Sequence, residues 1–299
     1  MSAPPPPSVA ASRARPAPWP GGDRRGFWNI ADREPDRPAL HLPDASTWTF
    51  GQLSRAANRL SHGFRALGLA NGDCIAALLR NDAHAYIVRL AALQTGLYYT
   101  PINHHLTGPE IAYVLTDAEA KVLIADARFA EVARLAVDES GTIDPARRLA
   151  IGEIDGFESL SALTRAQSDS SPPDRRSGQL MLYTSGTTGR PKGVRRALPD
   201  EDPNLWASQR AIFGRAFGLR PFDGTHLVLG PLYHAGPSIF SWGALDVGHR
   251  QIVTATSIPR RPFERSKPTE SRTPTWWRRC FIDYSRYRST YARASTFPR

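Results

Sequence analysis

The chain has 299 residues, enough for one large domain or two ordinary ones, and its hydrophobic content of 41% can fill a core. Its two cysteines, Cys74 and Cys280, exclude a disulfide framework and favour a reducing, cytoplasmic compartment. No apolar run reaches the roughly 18 residues that predict a membrane span.

The net charge of +10 is unevenly distributed. Residues 256–299 contain eleven Lys and Arg against three Asp and Glu, a balance of +8, so the other 255 residues carry only +2. The basic charge therefore belongs to this tail and does not indicate a specific nucleic-acid-binding face on the main domain. Residues 1–26 are rich in Pro, Ala and Arg and lack the apolar segment of a signal peptide, which predicts a disordered lead-in.

Residues 27–177 alternate helices with short apolar strands and are predicted to form a first α/β subdomain. The clearest helix begins after Thr49, because Thr49 and Gln52 have the spacing of a capping box, and Gly68 stands where a C-terminal cap belongs. Continuously apolar runs, as in strands buried on both faces, occur at residues 74–79 and 121–126. Helices between such strands imply parallel pairing with right-handed crossovers, so the fold class is α/β with a parallel sheet.

Residues 159–177 lose this periodicity and collect Ser, Pro, Asp and Arg, which predicts a linker or a long surface loop. Residues 178–255 are then predicted to start a second, incomplete α/β subdomain. Its predicted elements are a strand at 179–183, a helix at about 204–217, a strand at 226–230, a helix through 238–245 and a strand at 250–254.

The stretch "LYTSGTTGRPKGVRR" at residues 182–196 combines glycines, hydroxyls and cations. Glycine-rich backbone lets several N–H groups converge on an anion, hydroxyls add neutral donors and a lysine adds a charge. The residues that supply these groups are Ser185, Gly186, Thr187, Thr188, Gly189 and Lys192. No Gly-Lys-Ser/Thr follows as in a Walker loop, and the chain leaves in an extended segment and not in the helix of a dinucleotide fingerprint. A flexible hairpin tip is the structural alternative.

Twelve consecutive positions, "YTSGTTGRPKGV", closely resemble the nucleotide-binding loop of the adenylate-forming superfamily, which comprises acyl- and aryl-CoA ligases, peptide-synthetase adenylation domains and luciferases. The resemblance extends over roughly residues 27–254. The segments "TWTFGQL" and "YYTPINHHLTGPEI" are part of it, and the second is most similar to fatty-acyl and medium-chain acid CoA ligases. By this resemblance, residues 184–188 and Lys192 would surround the β- and γ-phosphates of ATP.

A second constellation is "PLYHAGP" at residues 231–237. A similar stretch in the CoA ligases brings an aromatic residue and a histidine beside the carboxylate that is activated, and Tyr233 and His234 occupy those positions here. A hydrogen-bonded structural histidine is the alternative for His234. Its position after a predicted parallel strand, where open α/β sheets bind ligands, favours the functional interpretation.

The resemblance implies ATP, Mg²⁺ and coenzyme A as cofactors and a small carboxylic acid as substrate. Adenylation replaces the oxide leaving group of a carboxylate with AMP, and a donor-rich loop with one lysine and Mg²⁺ suits the departing pyrophosphate. An aryl-acid ligase and a peptide-synthetase adenylation domain remain alternatives. No protein metal site is predicted, because His104, His105 and the other histidines lack metal-ligand spacing. Asp117 and Glu119 are interpreted as surface charges.

The segment from 256 to 299 contains no Leu, Val or Gly, unlike the residues before it. Either it is a natural disordered basic tail or the reading frame changes near Thr256; a one-base shift recovers a helical apolar pattern, which favours the frame change. The family's adenine and ribose loops, Mg²⁺-positioning glutamate and C-terminal lysine domain would then be missing, and little catalysis is expected. A different class remains open, a non-catalytic protein whose tail aromatics stack on RNA. Those aromatics are Trp276, Trp277, Tyr284, Tyr287 and Tyr291.

Overall fold

The computed structural model describes residues 25–184 and 191–254. The helices in these ranges are α1 (Phe27–Arg33), α2 (Phe50–Ala66), α3 (Ala83–Gln94), α4 (Gly108–Asp117), α5 (Ala130–Ser140), α6 (Leu160–Arg165), α7 (Pro203–Ala216) and α8 (Ala235–Asp246). The strands are β1 (Pro38–His41), β2 (Thr47–Thr49), β3 (Cys74–Leu78), β4 (Tyr98–Pro101), β5 (Ala120–Asp126), β6 (Arg148–Ile151), β7 (Glu158–Ser159), β8 (Gln179–Leu180), β9 (Leu182–Thr184), β10 (Lys192–Val194), β11 (Thr225–Val228) and β12 (Arg250–Val253).

A six-stranded parallel sheet has the order β7-β6-β5-β3-β4-β8. β3 lies inside it, with all five residues buried and with Ile75 in register with Tyr99 on one side and Val122 on the other. The predicted parallel α/β fold and the strand predictions at 74–79 and 121–126 are confirmed. Cys74 is a core residue, as expected, and burial raises the pKa of its thiol to about 11.

Helix α2 packs against α3 and begins as the sequence predicts. The side chain of Thr49 accepts a hydrogen bond from the Gln52 amide at 3.2 Å, and Gln52 Oε1 accepts one from the Thr49 amide at 2.8 Å. Gly68 follows the helix in the left-handed region, with a φ of +73°, which glycine adopts without strain. The capping-box and C-terminal predictions are confirmed.

A second, four-stranded sheet has the order β11-β12-β1-β2, with β2 antiparallel at its edge. β1, from the start of the described chain, therefore pairs with β12, from its end. The buried Asp246 links the same regions, because it accepts hydrogen bonds from the Phe27 amide at 3.1 Å and from Arg210 at 3.2 Å. β8 follows residue 177 but belongs to the first sheet, so the proposed division at 177 does not separate the two sheets.

The expectation of an irregular loop at 159–177 is wrong for its first part, where α6 forms. Ser159 caps this helix by accepting from the Ala162 amide at 3.3 Å, and Leu160 is buried. Leu163 packs so closely over Gly63 that a Cβ there would lie 3.0 Å from Leu163 Cγ. Six residues are too few to show a helical period in the sequence.

The predicted strand at 179–183 is two strands, β8 and β9, separated at the buried Met181. The remaining predicted elements of this region, which are α7, β11, α8 and β12, are confirmed within one to three residues at each end. Residues 1–24 and 255–299 lie outside the described residues, and so do the predictions of a lead-in and of a basic tail. None of the helices in the described ranges combines the length and hydropathy that crossing a membrane requires.

Candidate functional site

β9 and β10 form an antiparallel hairpin in which Thr184 is the register partner of Lys192. The residues predicted to contact phosphate between them lie outside the described residues: Ser185, Gly186, Thr187, Thr188 and Gly189. The two ends of this loop therefore meet side by side, and Lys192 is exposed where the chain leaves it. The chain continues as a strand, as predicted, which separates this loop from the Walker type, where a helix follows.

The hairpin follows β8, the edge strand of the first sheet. β8 is parallel to β4, and the amide of Met181, immediately after β8, donates to the carbonyl of Tyr99 at 2.9 Å. β9 therefore starts near the carboxyl end of β4. Open parallel sheets bind their ligands at the carboxyl ends of the strands.

Two residues interpreted as plain surface charges hold the hairpin. The Tyr183 hydroxyl donates to Asp117 at 2.6 Å, and Arg195 donates to Glu119 at 3.1 Å. Partial burial and the bond to Asp117 raise the pKa of Tyr183. Asp117 and Glu119 are surface charges at a helix end, as the sequence indicates, but their partners come from about 65 to 75 residues later in the chain.

Arg195 also contacts the turn before β3. Its guanidinium donates to the carbonyl of Gly72 at 3.0 Å and lies 4.5 Å from the ring centroid of Tyr98. The Tyr98 hydroxyl in turn donates to the carbonyl of Arg196 at 2.7 Å. The described end of the hairpin is thereby fixed to the first sheet through both side-chain and backbone bonds.

The turn that carries Tyr233 and His234 is held by Asn81, which follows β3. The Asn81 amide donates to the carbonyl of Gly230 at 2.9 Å and accepts from the amide of Leu232 at 2.9 Å. One side chain thus fixes the turn after β11 to the loop after β3. The sequence analysis did not identify this residue, since a single asparagine in a loop gives no signal of a partner about 150 residues away.

Tyr233 and His234 belong to a cluster of rings contributed by three separate segments. The centroid of His104 lies 5.0 Å from that of Tyr233, 4.9 Å from that of Phe129 and 4.5 Å from that of His105, while Tyr233 and His234 are 4.5 Å apart. The segments follow β4, β5 and β11. We call these five residues the ring cluster.

His104 and His234 of the ring cluster favour their neutral forms. Burial, and then the nearby His105, lower the pKa of His104, and the same two causes lower the pKa of His234. Burial raises the pKa of Tyr233. His104 Nδ1 is buried and has no hydrogen-bond partner among the described residues. His104 and Tyr233, which are partly buried, and His234, which is exposed, therefore present polar ring atoms that can donate and accept hydrogen bonds.

Phe129 is positioned by a buried carboxylate at the end of β5. One oxygen of Asp126 accepts from the Arg128 amide at 2.9 Å, and the other accepts from Arg80 Nε at 3.1 Å. Arg80 also lies 3.3 Å from Asp82. These bonds fix the turn after β5, and Phe129 in this turn stacks on His104.

The sequence predicted Tyr233 and His234 but not the residues that surround them. His104 and His105 were considered as zinc ligands and set aside, and within residues 25–184 and 191–254 no group of three His, Cys, Asp or Glu side chains is placed to hold a metal ion. The available signal was the position of the histidine pair directly after a predicted strand, which is where a parallel sheet collects its ligand-binding residues.

The fold and the site define a parallel α/β protein with a hairpin at the glycine-hydroxyl stretch and with a ring cluster in the segments that follow three of its strands. Comparison with known families agrees: residues 27–295 match the family model described as AMP-binding enzyme, and the chain belongs to this family. The resemblance to adenylate-forming enzymes is confirmed. The match includes most of the basic segment beyond residue 255.

Curated relatives act on several kinds of acid. The chain is 35% identical over 170 residues to the fatty acid–[acyl-carrier-protein] ligase ScoC of Streptomyces coeruleorubidus, a match that covers 55% of this chain and 30% of that one. It is 30% identical over 210 residues to the indoleacetate–CoA ligase of Aromatoleum aromaticum, covering 69% and 39% of the two chains. The chain thus spans about a third of the length of these relatives.

Solved structures show the same fold. A fatty acyl CoA synthetase of Mycobacterium tuberculosis superposes with a TM-score of 0.63 at 25% identity, covering 77% of this chain and 44% of that one. The anthranilate CoA ligase AuaEII, solved with anthranoyl-AMP, has a TM-score of 0.63 at 26% identity and covers 77% and 45%. The described fold is therefore that of part of the larger chains.

Proposed function

We propose that this chain carries the ATP loop and the acid-binding edge of an AMP-forming ligase that activates a fatty or medium-chain carboxylic acid for transfer to coenzyme A. The observation that carries the proposal is the ring cluster with His234, which gathers the segments that follow β4, β5 and β11. The hairpin whose ends are Thr184 and Lys192 supports it.

The hairpin would bind the triphosphate of ATP. Backbone N–H groups and hydroxyls of residues 184–189 would donate to the β- and γ-phosphate oxygens, and Lys192 would supply the positive charge. When the acid attacks the α-phosphate, the bond to pyrophosphate breaks and negative charge moves onto the departing group. Donors that are already in place stabilise that charge without reorganisation. Mg²⁺ would neutralise part of the charge of the phosphates. Among the described residues, no three His, Cys, Asp or Glu side chains are placed to hold the ion.

The turn after β11 would hold the carboxylate of the acid. His234 is the N-cap of α8, and the amides of Ala235 and Gly236 at the first turn of this 12-residue helix lie at the positive end of its dipole. Neutral His234 and Tyr233 can donate to a carboxylate oxygen without a formal charge that would bind it too strongly. Phe129 and His104 offer ring surface beside this position for the rest of the acid.

The choice between a fatty and an aromatic acid depends on this ring surface. The curated relatives include ligases of both kinds, for fatty acids and for indoleacetate. Aromatic side chains in the ring cluster could stack on an aryl acid, which makes an aryl-acid ligase the second candidate. The melting temperature of the ATP complex, measured with a panel of aliphatic and aromatic acids, would distinguish a fatty-acid ligase from an aryl-acid ligase.

The test of the proposal is the binding of ATP to the 299-residue chain by isothermal titration calorimetry. We expect saturable binding that falls at least tenfold in Lys192→Ala, about 1.4 kcal/mol. The unfolding free energy of this variant should change by no more than about 0.5 kcal/mol, because the side chain is exposed.

Lys121→Ala is the matched control, since Lys121 is exposed and pairs with Asp73 at 2.7 Å, and neither residue belongs to the hairpin. It should leave ATP affinity unchanged. Absence of ATP binding, or equal binding by both variants, would contradict the nucleotide role of the hairpin. A large drop in melting temperature in Lys192→Ala would show instead that this part of the hairpin is structural.

A further inference from the structure

A cavity lies between α1, α2 and residues 169–175. Its volume is about 220 Å³. The polar and aromatic side chains that line it include Trp28, Ser54, Asn58, Asp169, Ser171 and Arg175. None of the lining residues belongs to the hairpin or to the ring cluster, so the proposed ligase chemistry does not account for this cavity.

Two of the lining residues have buried N–H groups with no acceptor among the described residues. Trp28 is 3% exposed, and its Nε1 has no partner in the described part of the chain. The same is true of Nε and Nη2 of Arg175. A buried donor that has given up water without gaining an acceptor costs free energy, so these three groups indicate an acceptor that the chain itself does not provide.

The geometry of Arg175 favours an oxyanion as that acceptor. Its Nη1 donates to Asn204 Oδ1 at 2.7 Å, and its Cζ lies 5.1 Å from the Trp28 ring centroid, so the guanidinium is held against the indole. Nε and Nη2 form the side of a guanidinium that grips two oxygens of a carboxylate or phosphate in parallel. Burial lowers the pKa of Arg175, and an anion at this fork would offset that burial.

The acidic residues around the cavity do not occupy the fork. The carboxylate of Asp169 pairs with Arg59 at 3.1 Å, and Asp169 uses its backbone carbonyl to accept from Asn58 at 2.8 Å. Asp32 lines the cavity, and Asp202 does not. The charges of both carboxylates raise the pKa of Arg175, against the larger effect of its burial. Nε and Nη2 of Arg175 therefore have no acceptor in the described part of the chain.

We propose that this cavity is a binding site for a small oxyanion, a carboxylate or phosphate group, held side-on by Nε and Nη2 of Arg175 and by Nε1 of Trp28. Its volume is below the roughly 300 Å³ at which pockets for drug-sized ligands begin, so the ligand is small. The bound group would join residues 169–175 to α1. Arg175 lies four residues before the start of β8, so the site adjoins the segment that leads into the hairpin.

The experiment is calorimetric titration of the 299-residue chain with sodium phosphate and, separately, with sodium acetate, at constant ionic strength set by sodium chloride. We expect saturable binding of at least one of the two anions. Arg175→Gln should weaken it at least tenfold, and Arg175→Lys, which keeps the charge but loses the fork, should also weaken it. Trp28→Phe should weaken it several-fold, since it keeps a ring and removes the N–H.

Two controls locate the binding. Arg134→Gln removes an exposed arginine paired with Asp155 at 3.7 Å and should leave binding unchanged. Lys192→Ala should keep the anion binding that depends on Arg175, because Lys192 belongs to the hairpin and does not line the cavity. If Lys192→Ala abolishes phosphate binding and Arg175→Gln does not, phosphate binds at the hairpin. That result overturns the oxyanion site and supports the nucleotide role.

The identity of the anion and the folding of the variants complete the test. Binding of phosphate alone indicates a phosphate ligand, and binding of acetate alone indicates a carboxylate ligand. No saturable binding of either anion, or equal affinity in wild type, Arg175→Gln and Trp28→Phe, overturns the proposal. Circular dichroism shows whether each variant is folded. If Arg175→Gln does not fold, the anion affinities of Arg175→Lys and Trp28→Phe test the proposal.

Discussion

At the scale of single residues, the ring cluster depends on His104. This histidine contacts Phe129, His105 and Tyr233 and is the member through which the three segments meet. It is half-buried, so its charged form would lose part of its hydration and would also face His105 and His234. The native state therefore favours the neutral imidazole.

This preference predicts a pH dependence of stability. Because the native pKa of His104 is lowered, the unfolded state binds a proton more readily than the native state does. The contribution of neutral His104 to the free energy of unfolding is therefore fully present above the unfolded pKa of about 6.5. It is lost as the pH falls below that value. His104→Gln should lose less unfolding free energy than wild type between pH 7 and pH 5. Denaturant titrations at each pH would measure this difference.

The control for this prediction is His41→Gln, which changes an exposed histidine of β1 outside the ring cluster. This variant should keep the pH dependence of the wild type. A His104→Gln profile that is parallel to that of wild type would show that the charge of His104 does not contribute to stability in this range.

At the scale of elements, the hairpin of β9 and β10 is short and is held by the elements beside it. Three residues in each strand are too few to be stable in isolation. Tyr183 joins it to Asp117 at the end of α4, Arg195 joins it to Glu119 two residues later, and Tyr98 joins it to β4. Gly193 is required for this packing, since a Cβ there would lie 2.9 Å from the Tyr183 ring.

Weakening this attachment should affect ATP binding more than folding. Arg195→Lys keeps the charge but cannot reach Glu119 and the carbonyl of Gly72 together, and it loses the planar contact with Tyr98. We expect the dissociation constant for ATP to rise roughly three- to tenfold, up to about 1.4 kcal/mol. The change in melting temperature should be small because the ion pair is largely exposed.

Arg196→Lys is the matched control. The side chain of Arg196 is exposed, and the bond that it makes to Tyr98 comes from its backbone carbonyl, which the substitution keeps. Its ATP affinity should equal that of wild type. If both lysine variants bind ATP like wild type, the arginine contacts do not position the hairpin.

At the scale of the whole molecule, the two sheets are joined by helices and not by chain order. Tyr86 of α3 bonds to Ser241 of α8 at 2.9 Å, and the guanidinium of Arg89 lies 4.1 Å from the ring of Trp242. These contacts bring a helix of the first sheet against a helix of the second. They keep the carboxyl ends of β4 and β11 close enough for His104 to meet Tyr233.

The composition change after Thr254 leads to a prediction about the gene. The described residues are rich in Leu, Val and Gly, whereas residues 256–299 have none of the three. We predict that a second reading frame, open across the codons for residues 256–299, continues beyond them for roughly two hundred residues, the scale of one or two domains. It should encode a ribose-binding aspartate and a late lysine.

Resequencing across the codons for residues 253–258 is the measurement. An inserted or missing base there would confirm the frame change. Stop codons scattered through the second frame would show that the basic tail is genuine. In that case the family match, which extends to residue 295, includes genuine residues of the basic tail. The proposal for the hairpin does not depend on this outcome.

The sequence alone determined the fold class, most helices and strands, the family and the two central motifs. These depend on local patterns: the capping pair of Thr49 and Gln52, the apolar run from Cys74, and the order of residues from Tyr183 to Val194. Each pattern is written in neighbouring residues, because helical period, strand burial and loop chemistry act over a few residues.

The tertiary structure decided what surrounds the motifs. Only the folded chain shows that Asn81 holds the turn of Tyr233, that Glu119 holds Arg195, and that Trp28 and Arg175 share a cavity. These partners are about 75 to 150 residues apart in the chain. A sequence pattern does not report such pairs, because their contact is set by the packing of whole helices and sheets and not by the conformational preference of either residue.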